Sequence, residues 1–217
     1  MKITINQNIK DITPDFEVAV LTCDVKVYDN PDVSILIDNI EKSIYDNFDI
    51  TDIVNLPIII DGRNAYKKFG KDPSRYRLAV ESLYRRLSKG NSLYRINNVV
   101  DLGNILSIKT RKSVAVLDYD KIVGDVHIRL GRETDDYHGI GRGKINITNI
   151  PLYEDDLSPF GSVTSDTNRT MIQDDTQKIL LFIISFSGKT NLLEEIQYAK
   201  DIYEKYANGS NFNSYII

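Results

Sequence analysis

Hydrophobic residues recur at a spacing of three to four positions in five stretches of this chain, with polar residues between them. This spacing places the apolar side chains on one face of an α-helix. Proline near the start of a stretch and glycine after its end fit the preferences of helix termini. The sequence predicts helices over about residues 31–44, 63–69, 73–89, 97–107 and 191–207.

Other stretches are short and rich in β-branched and apolar residues, which is typical of strands. They cover residues 16–21, 56–60, 113–117, 125–130, 144–148 and 178–186. The segment Asp118-Tyr119-Asp120 separates two of them and predicts a β-hairpin. Several strands follow one another in the second half instead of alternating with helices. We therefore predict an α+β fold, with a mostly antiparallel β core and flanking helices.

The composition, 217 residues of which 41% are hydrophobic and 27% charged, is that of an ordinary globular protein. A single cysteine excludes an intramolecular disulfide, and two histidines leave few ligands for zinc, so we predict neither a metal nor another cofactor. The longest apolar run, residues 179–184, is too short to cross a bilayer, and the N-terminus shows no signal peptide. We expect a cytoplasmic protein without a membrane partner.

Charge is distributed unevenly along the chain. Residues 1–62 carry 4 Lys and Arg against 12 Asp and Glu, whereas residues 63–95, the basic block, carry 10 against 2. A short basic block in an otherwise acidic protein can hold a polyanion locally. The alternative is a solvated pair of helices, in which Arg77, Glu81 and Arg85 form a ladder of ion pairs at spacings of four.

Three residues with catalytic or metal-binding chemistry lie in contexts that favour a structural role. Cys23 falls in a strand-like run without a neighbouring histidine, so we interpret it as a buried thiol. His127 alternates with Asp125 and Arg129 on the polar face of a predicted strand, which indicates an exposed histidine. His138 lies in a polar, glycine-bearing loop that has neither the spacing of a Walker motif nor a following helix.

Residues 158–170 concentrate hydroxyl side chains around one carboxylate, one amide and one guanidinium. Backbone amides around Gly161 and these hydroxyls can cradle an anion or an amino-acid carboxylate, with Arg169 as the counter-charge. The candidate catalytic residues are Thr164, Ser165, Asp166 and Arg169. The alternative is a turn network in which Ser, Thr and Asp side chains bond to their own backbone.

Five motifs then follow one another in the order of a known family. They are the basic stretch 63–77 with 81–86, the segment 97–104, the strand end 117–122, the glycine turn 160–166 and the pair Arg169-Thr170. Together they resemble the B3/B4 domain of the phenylalanyl-tRNA synthetase β subunit, and especially its free-standing relatives, over about residues 61–186. The division that we expect is an acidic extension packed on the core (1–60), a B3/B4-like domain (61–190) and the C-terminal helix of that domain (191–217).

In the synthetase, the domain is implied to be an editing module that hydrolyses tyrosine wrongly esterified to the phenylalanine tRNA. The resemblance implies the same work in trans for free-standing relatives. Editing is needed because a single binding step discriminates poorly between similar side chains. The partner would be tRNA or aminoacyl-tRNA, with the basic block facing its phosphates. The candidate RNA-binding residues are Arg63, Lys67, Lys68, Lys71, Arg75, Arg77, Arg85 and Arg86.

The matched positions also depart from the synthetase pattern. The candidate pocket residues are Asn104, Ala115, Phe160, Gly161 and Ser162. Gly103 stands where the family has an editing-site threonine, Ala115 where it has a histidine and Phe182 where it has a glutamate. An activated ester held by backbone donors can still react with a bound water, helped by a hydroxyl of the tRNA.

The sequence thus predicts an RNA-binding module that recognises aminoacyl-tRNA, with a trans-acting editing deacylase as its enzymatic form. The alternative is a small-molecule protein that has kept the pocket and lost the tRNA, in which residues 164–170 bind a free amino acid or a similar carboxylate. A scaffold without activity is the third alternative.

Overall fold

Two four-stranded sheets and seven α-helices form the fold, which a computed structural model describes for residues 1–217. The helices are α1 Gln7–Ile12, α2 Pro31–Asn47, α3 Ile50–Val54, α4 Pro57–Lys68, α5 Ala79–Leu87, α6 Asn98–Thr110 and α7 Leu192–Ala207. The strands are β1 Ile3–Ile5, β2 Glu17–Asp24, β3 Ser113–Asp118, β4 Val126–Leu130, β5 His138–Gly139, β6 Gly143–Lys144, β7 Pro151–Glu154, β8 Pro159–Ser162, β9 Lys178–Ser185 and β10 Ser210–Ile216. The α+β prediction is confirmed.

The first sheet has the strand order β10-β2-β9-β3 and is antiparallel throughout. The second has the order β1-β4-β7-β8, in which only β1 and β4 run parallel. Strand β9 lies between two neighbouring strands inside the first sheet, so it is buried along nearly its whole length. A continuous apolar run in the sequence is typical of a strand that is buried on both faces. The rings of Phe182 and Tyr153 meet edge to face with their centroids 4.9 Å apart, joining the two sheets.

Helices α6 and α7 pack against each other and against the first sheet. The hydroxyl of Tyr203 on α7 donates a hydrogen bond of 2.9 Å to the carbonyl of Val99 on α6. Ten of the thirteen residues of α6 are buried, so this helix is covered around most of its circumference. Because α6 lies beside the edge strand β3, it forms one wall of the site described below. None of the helices has the length and hydrophobicity that spanning a membrane requires.

The prediction of a strand at residues 56–60 is wrong. These residues lie at the start of α4, where Pro57 occupies the first turn. The backbone N–H groups of a first turn have no partner within the helix, so a proline there costs no helical hydrogen bond. The following helix begins at Ala79 rather than at Pro73. The segment before it is a turn in which the side chain of Asp72 accepts a hydrogen bond from the backbone of Ser74 at 2.8 Å.

The predicted hairpin is also wrong, because β3 belongs to the first sheet and β4 to the second. Of the strand predicted at residues 144–148, Lys144 pairs with His138 in the short strands β5 and β6, and Thr148 forms an isolated bridge with Gly131. His127 is exposed and Cys23 is buried, as predicted, and burial raises the pKa of the Cys23 thiol to about 12. Arg129 is buried instead of exposed, because its guanidinium bonds to the carboxylates of Asp135 and Glu154.

Candidate functional site

A cavity of about 220 Å³ opens between α6, the edge strand β3 and the loop that follows β8. Most of its lining is apolar, and Asp166 is the only ionisable residue in it. The lining residues are Ile96, Val100, Gly103, Asn104, Val114, Val116, Leu117, Ile140, Asp166, Met171 and Ile172. Such a cavity, with few polar groups in an apolar lining, is typical of a small-molecule site.

The carboxylate of Asp166 is only half satisfied within the chain. Its Oδ1 accepts a hydrogen bond from the backbone N–H of Ser162 at 3.3 Å. Its Oδ2 has no hydrogen-bond partner and no ion pair, so it is free to meet a ligand or a water. Burial disfavours the charged form and raises the pKa of Asp166 to about 7. With this pKa, both the protonated and the ionised forms of the carboxyl group are populated at neutral pH.

The turn after β8 holds Asp166 in place through bonds to its own backbone. The hydroxyl of Ser162 donates to the carbonyl of Ser165 at 2.7 Å and accepts from the N–H of Thr164 at 3.3 Å and of Ser165 at 3.1 Å. The N–H of Ile140 donates to the carbonyl of Asp166 at 2.9 Å. A serine in such a turn folds the backbone locally, which fixes the direction of the following side chains.

The structure places the other candidate catalytic hydroxyls outside the cavity lining. The hydroxyl of Thr164 is buried and shares a hydrogen bond of 2.7 Å with the hydroxyl of Tyr66. The hydroxyl of Ser165 donates to the carbonyl of Asp166 at 3.4 Å. Both side chains therefore support the turn that carries Asp166.

Arg169 lies away from the cavity lining and is engaged in internal contacts. Its Nη2 donates to Oδ1 of Asp155 at 2.8 Å, and its Nη1 donates to the carbonyl of Lys121 at 3.0 Å. The guanidinium lies over the ring of Phe160, 5.4 Å from its centroid. These contacts join the loop after β8 to the connection between β3 and β4.

Three of the candidate pocket residues occupy different places in the fold. Asn104 lines the cavity together with Asp166, although 61 residues separate them along the chain. Ala115 lies opposite Phe182 on the neighbouring strand, and both are buried. Because side chains alternate along a strand, Ala115 shares the face of Phe182 toward the second sheet, while Val114 and Val116 line the cavity. Phe160 is buried in the core.

Four of the candidate RNA-binding residues in the basic block are held by contacts within the chain. Fully buried Glu81 accepts hydrogen bonds from Nη1 of Arg63 at 2.9 Å and from Nε of Arg85 at 2.8 Å. Lys71 is buried, with its Nζ 3.1 Å from Oδ1 of Asn146. Arg86 donates through Nε to the carbonyl of Ser92 at 2.6 Å.

The remaining candidates of the basic block are exposed and make no side-chain hydrogen bond or ion pair within the chain: Lys67, Lys68, Arg75 and Arg77. The ladder predicted for α5 forms only in part, because Arg77 precedes the helix and Glu81 binds Arg63 from α4 instead. Exposed cations of this kind are suited to contact phosphates.

Sequence reasoning missed most of the apolar wall of the cavity. Ile96, Val114, Val116, Met171 and Ile172 were not named as pocket residues, because a residue that lines a cavity has the same hydrophobic signal as one in the core. The exposure of Ile96, at 58%, becomes visible only in the folded chain. No group of three or more His, Cys, Asp or Glu residues is placed to hold a metal ion.

Comparisons with known proteins identify a family and similarity to solved structures. A family model described as the B3/4 domain matches residues 61–211. The chain is similar to the crystal structure of an N-terminal fragment of the phenylalanyl-tRNA synthetase β-subunit from Pyrococcus horikoshii, with 11% identity and a TM-score of 0.49. That alignment covers 97% of this chain and 50% of the other, so this chain spans half the length of that fragment. No curated protein matches the chain.

Proposed function

Because this chain belongs to the B3/4 domain family, we propose that it is a tRNA-binding module that hydrolyses the ester between an amino acid and the tRNA. The family match covers the basic block, α6, the cavity and the turn that carries Asp166. The observation that carries the proposal is the lone carboxylate of Asp166, with one free oxygen, in a mostly apolar cavity. The apolar wall would receive the amino-acid side chain.

Asp166 has the properties of a general base for this reaction. A base works best at neutral pH when its pKa lies near 7, and burial brings the pKa of Asp166 to about 7. Its Oδ2 would take a proton from a water molecule as the water oxygen attacks the ester carbonyl. The same carboxyl group would then return the proton to the departing ribose oxygen, and free amino acid and tRNA would result.

The exposed cations of the basic block would hold the RNA. Arg75 and Arg77 lie in the segment between α4 and α5, and Lys67 and Lys68 lie in the last turn of α4. Contacts of Lys and Arg with phosphates position a nucleic acid without reading its sequence. The affinity for tRNA should therefore fall steeply as the salt concentration rises.

The decisive experiment measures the release of amino acid from tRNA charged with tyrosine, phenylalanine and several other amino acids. Asp166→Asn should lower the rate about 100-fold or more, since the amide cannot accept the proton. Asp174→Asn, a change of the same kind at an exposed carboxylate, is the matched control. Retained hydrolysis in Asp166→Asn would refute the role of Asp166, and no hydrolysis of any charged tRNA by the wild type would refute the reaction.

A second experiment tests the RNA surface separately from the chemistry. Reversing two exposed charges, Arg75→Glu with Arg77→Glu, should weaken tRNA binding and lower the salt dependence of the affinity. Reversing two exposed charges outside the basic block, Lys109→Glu with Lys189→Glu, is the control. Equal tRNA affinities for both double variants would show that the basic block is not the RNA surface.

A second candidate function is a protein that binds a free amino acid or a similar small molecule without RNA. The observation that favours it is that four of the candidate RNA-binding residues are engaged in contacts within the chain, with Arg63 and Arg85 bound to buried Glu81. Thermal stabilisation by free amino acids that is lost in Asp166→Asn, together with no binding of tRNA at low salt, would establish it in place of the first.

A further inference from the structure

The loop between α5 and α6 presents an aromatic ring to solvent beside the cavity. Tyr94 is 70% exposed, which makes it one of the most exposed large side chains of the chain. Two residues further on, Ile96 lines the Asp166 cavity. Two residues of extended chain span at most about 7 Å, so the backbone of Tyr94 lies within that distance of a residue in the cavity wall.

Contacts on both sides of Tyr94 hold this loop in one conformation. The backbone N–H of Leu93 donates to Oε1 of Glu41 at 2.8 Å. Arg95 donates to the same carboxylate at 2.8 Å and to Oδ1 of Asp38 at 2.6 Å, and both acidic residues lie on α2. The chain on either side of Tyr94 is therefore fixed to α2, while the ring itself points away from the core.

Arg86 supports one face of the ring. Its guanidinium carbon lies 4.2 Å from the centroid of Tyr94, and its Nε bonds to the carbonyl of Ser92 in the same loop. A guanidinium over an aromatic ring is a favourable cation–π contact that also fixes the plane of the ring. One face of Tyr94 is thus covered by a cation, while 70% of the side chain remains exposed to solvent.

A rigid, exposed aromatic face with a cation behind it is suited to stack with a flat, electron-rich ring. A nucleobase meets this requirement, because every base has a π-face and stacks on aromatic side chains of RNA-binding proteins. The chemistry that the loop and the cavity offer together is a base on Tyr94 and an acyl group beside Asp166. An aminoacylated RNA end joins those two groups through one ribose.

We propose that Tyr94, supported by Arg86, is the stacking platform for the terminal base of the RNA whose ester occupies the Asp166 cavity. This inference rests on the proposed function and specifies how its substrate is held. Arg86 then acts through Tyr94 as a positioning residue instead of binding a phosphate itself. Tyr94 contributes to binding of the RNA end and takes no part in the hydrolytic step.

The test uses a tRNA whose 3′-terminal adenine is replaced by 2-aminopurine, a base whose fluorescence falls when it stacks. The wild type should quench this fluorescence, Tyr94→Phe should retain the quenching, and Tyr94→Leu should lose most of it. Tyr45→Leu, a change at another exposed tyrosine, is the matched control. Loss of one base stack weakens binding by about tenfold or more.

A kinetic measurement separates this inference from the proposed function. With charged tRNA, Tyr94→Leu should raise KM about tenfold and leave kcat nearly unchanged, whereas Asp166→Asn should lower kcat. Wild-type quenching and KM in Tyr94→Leu would overturn the platform and leave the deacylase proposal standing. Quenching that depends on Tyr94, without hydrolysis of any charged tRNA, would support the platform and refute the deacylase. Absence of tRNA binding by the wild type would overturn both.

Discussion

The carboxylate of Asp166 lies directly against the backbone of Gly161, which has no side chain to displace it. A methyl group at Gly161 would lie 2.7 Å from Oδ1 of Asp166 and 2.7 Å from Cδ2 of Tyr153. Both distances are shorter than van der Waals contact. The position of the only ionisable group in the cavity therefore depends on a glycine in the neighbouring strand.

We expect Gly161→Ala to displace Asp166 and to abolish amino-acid release from charged tRNA. Stability should fall by about 1–3 kcal/mol, which is the usual effect of overpacking a dense interior. Gly141→Ala is the control, because nothing lies within 4 Å of the added methyl group and only its backbone φ of +64° is unfavourable. Wild-type activity in Gly161→Ala would show that the carboxylate position is not critical.

The raised pKa of Asp166 makes stability depend on pH. Folding raises the pKa of this carboxyl from 3.8 to about 7, so the folded protein binds a proton that the unfolded chain has released. The stabilisation from this proton is fully present below pH 4 and is lost as the pH rises through 7. Between pH 4 and pH 8, this titration should lower the unfolding free energy of the wild type by about 2–4 kcal/mol. Asp166→Asn removes the titrating group, so the unfolding free energy of this variant should lack that decrease.

Thermal unfolding at several pH values measures this difference, with Asp174→Asn as the matched control. The same titration should govern catalysis. If Asp166 is the general base, kcat/KM should rise with pH and reach half of its maximum near pH 7. Parallel stability curves for the wild type and Asp166→Asn would contradict the raised pKa.

Arg63 and Arg77 both belong to the basic block, but their substitution should have different effects. Arg63 is bound to the fully buried carboxylate of Glu81, whereas Arg77 is exposed. Arg63→Ala leaves the buried carboxylate of Glu81 with Arg85 as its remaining partner, so it should lower the free energy of unfolding by about 1–3 kcal/mol. Arg77→Ala should change it by less than about 0.5 kcal/mol.

Urea unfolding of both variants, together with their affinity for tRNA, checks this prediction. We expect Arg77→Ala to weaken tRNA binding while keeping the wild-type unfolding midpoint. Arg63→Ala should shift the midpoint downward. An unchanged midpoint in Arg63→Ala would show that Arg85 alone satisfies Glu81.

The elements that could be predicted from the sequence are those with a strong local signal. The apolar run of β9 and the helical spacing in α6 and α7 led to the right elements. A five-residue apolar run such as residues 56–60 fits a strand and a buried helical turn equally well. Pro57 fits the first turn of a helix, and the helix that begins there continues beyond the apolar run to Lys68.

The site shows the same division between local and long-range information. The turn chemistry of residues 158–170 identified Asp166, and the family resemblance identified Asn104. The partner of Arg169 is Asp155, and no sequence pattern specified that ion pair. The hairpin prediction failed because β3 pairs with β9, more than 60 residues later, instead of with β4.

Gly103 on α6 faces Val116 on β3 in the cavity wall, with no room for a side chain between them. A methyl group at Gly103 would lie 2.4 Å from Cγ2 of Val116, so the threonine that the synthetase pattern places here does not fit beside this valine. Alanine normally favours a helix over glycine by about 1 kcal/mol. We nevertheless expect Gly103→Ala to destabilise the protein by about 1–3 kcal/mol, because the clash outweighs the helix propensity.

Shortening the neighbour should reverse this effect. In the double variant Gly103→Ala with Val116→Ala the clash disappears, so the two substitutions should couple favourably by at least about 1 kcal/mol. Urea unfolding of the two single variants and the double variant measures the coupling. Additive effects would mean that β3 moves away from α6 without cost. Favourable coupling would show that Val116 is the residue that excludes a side chain at position 103, and hence that the family's threonine and this valine are alternatives.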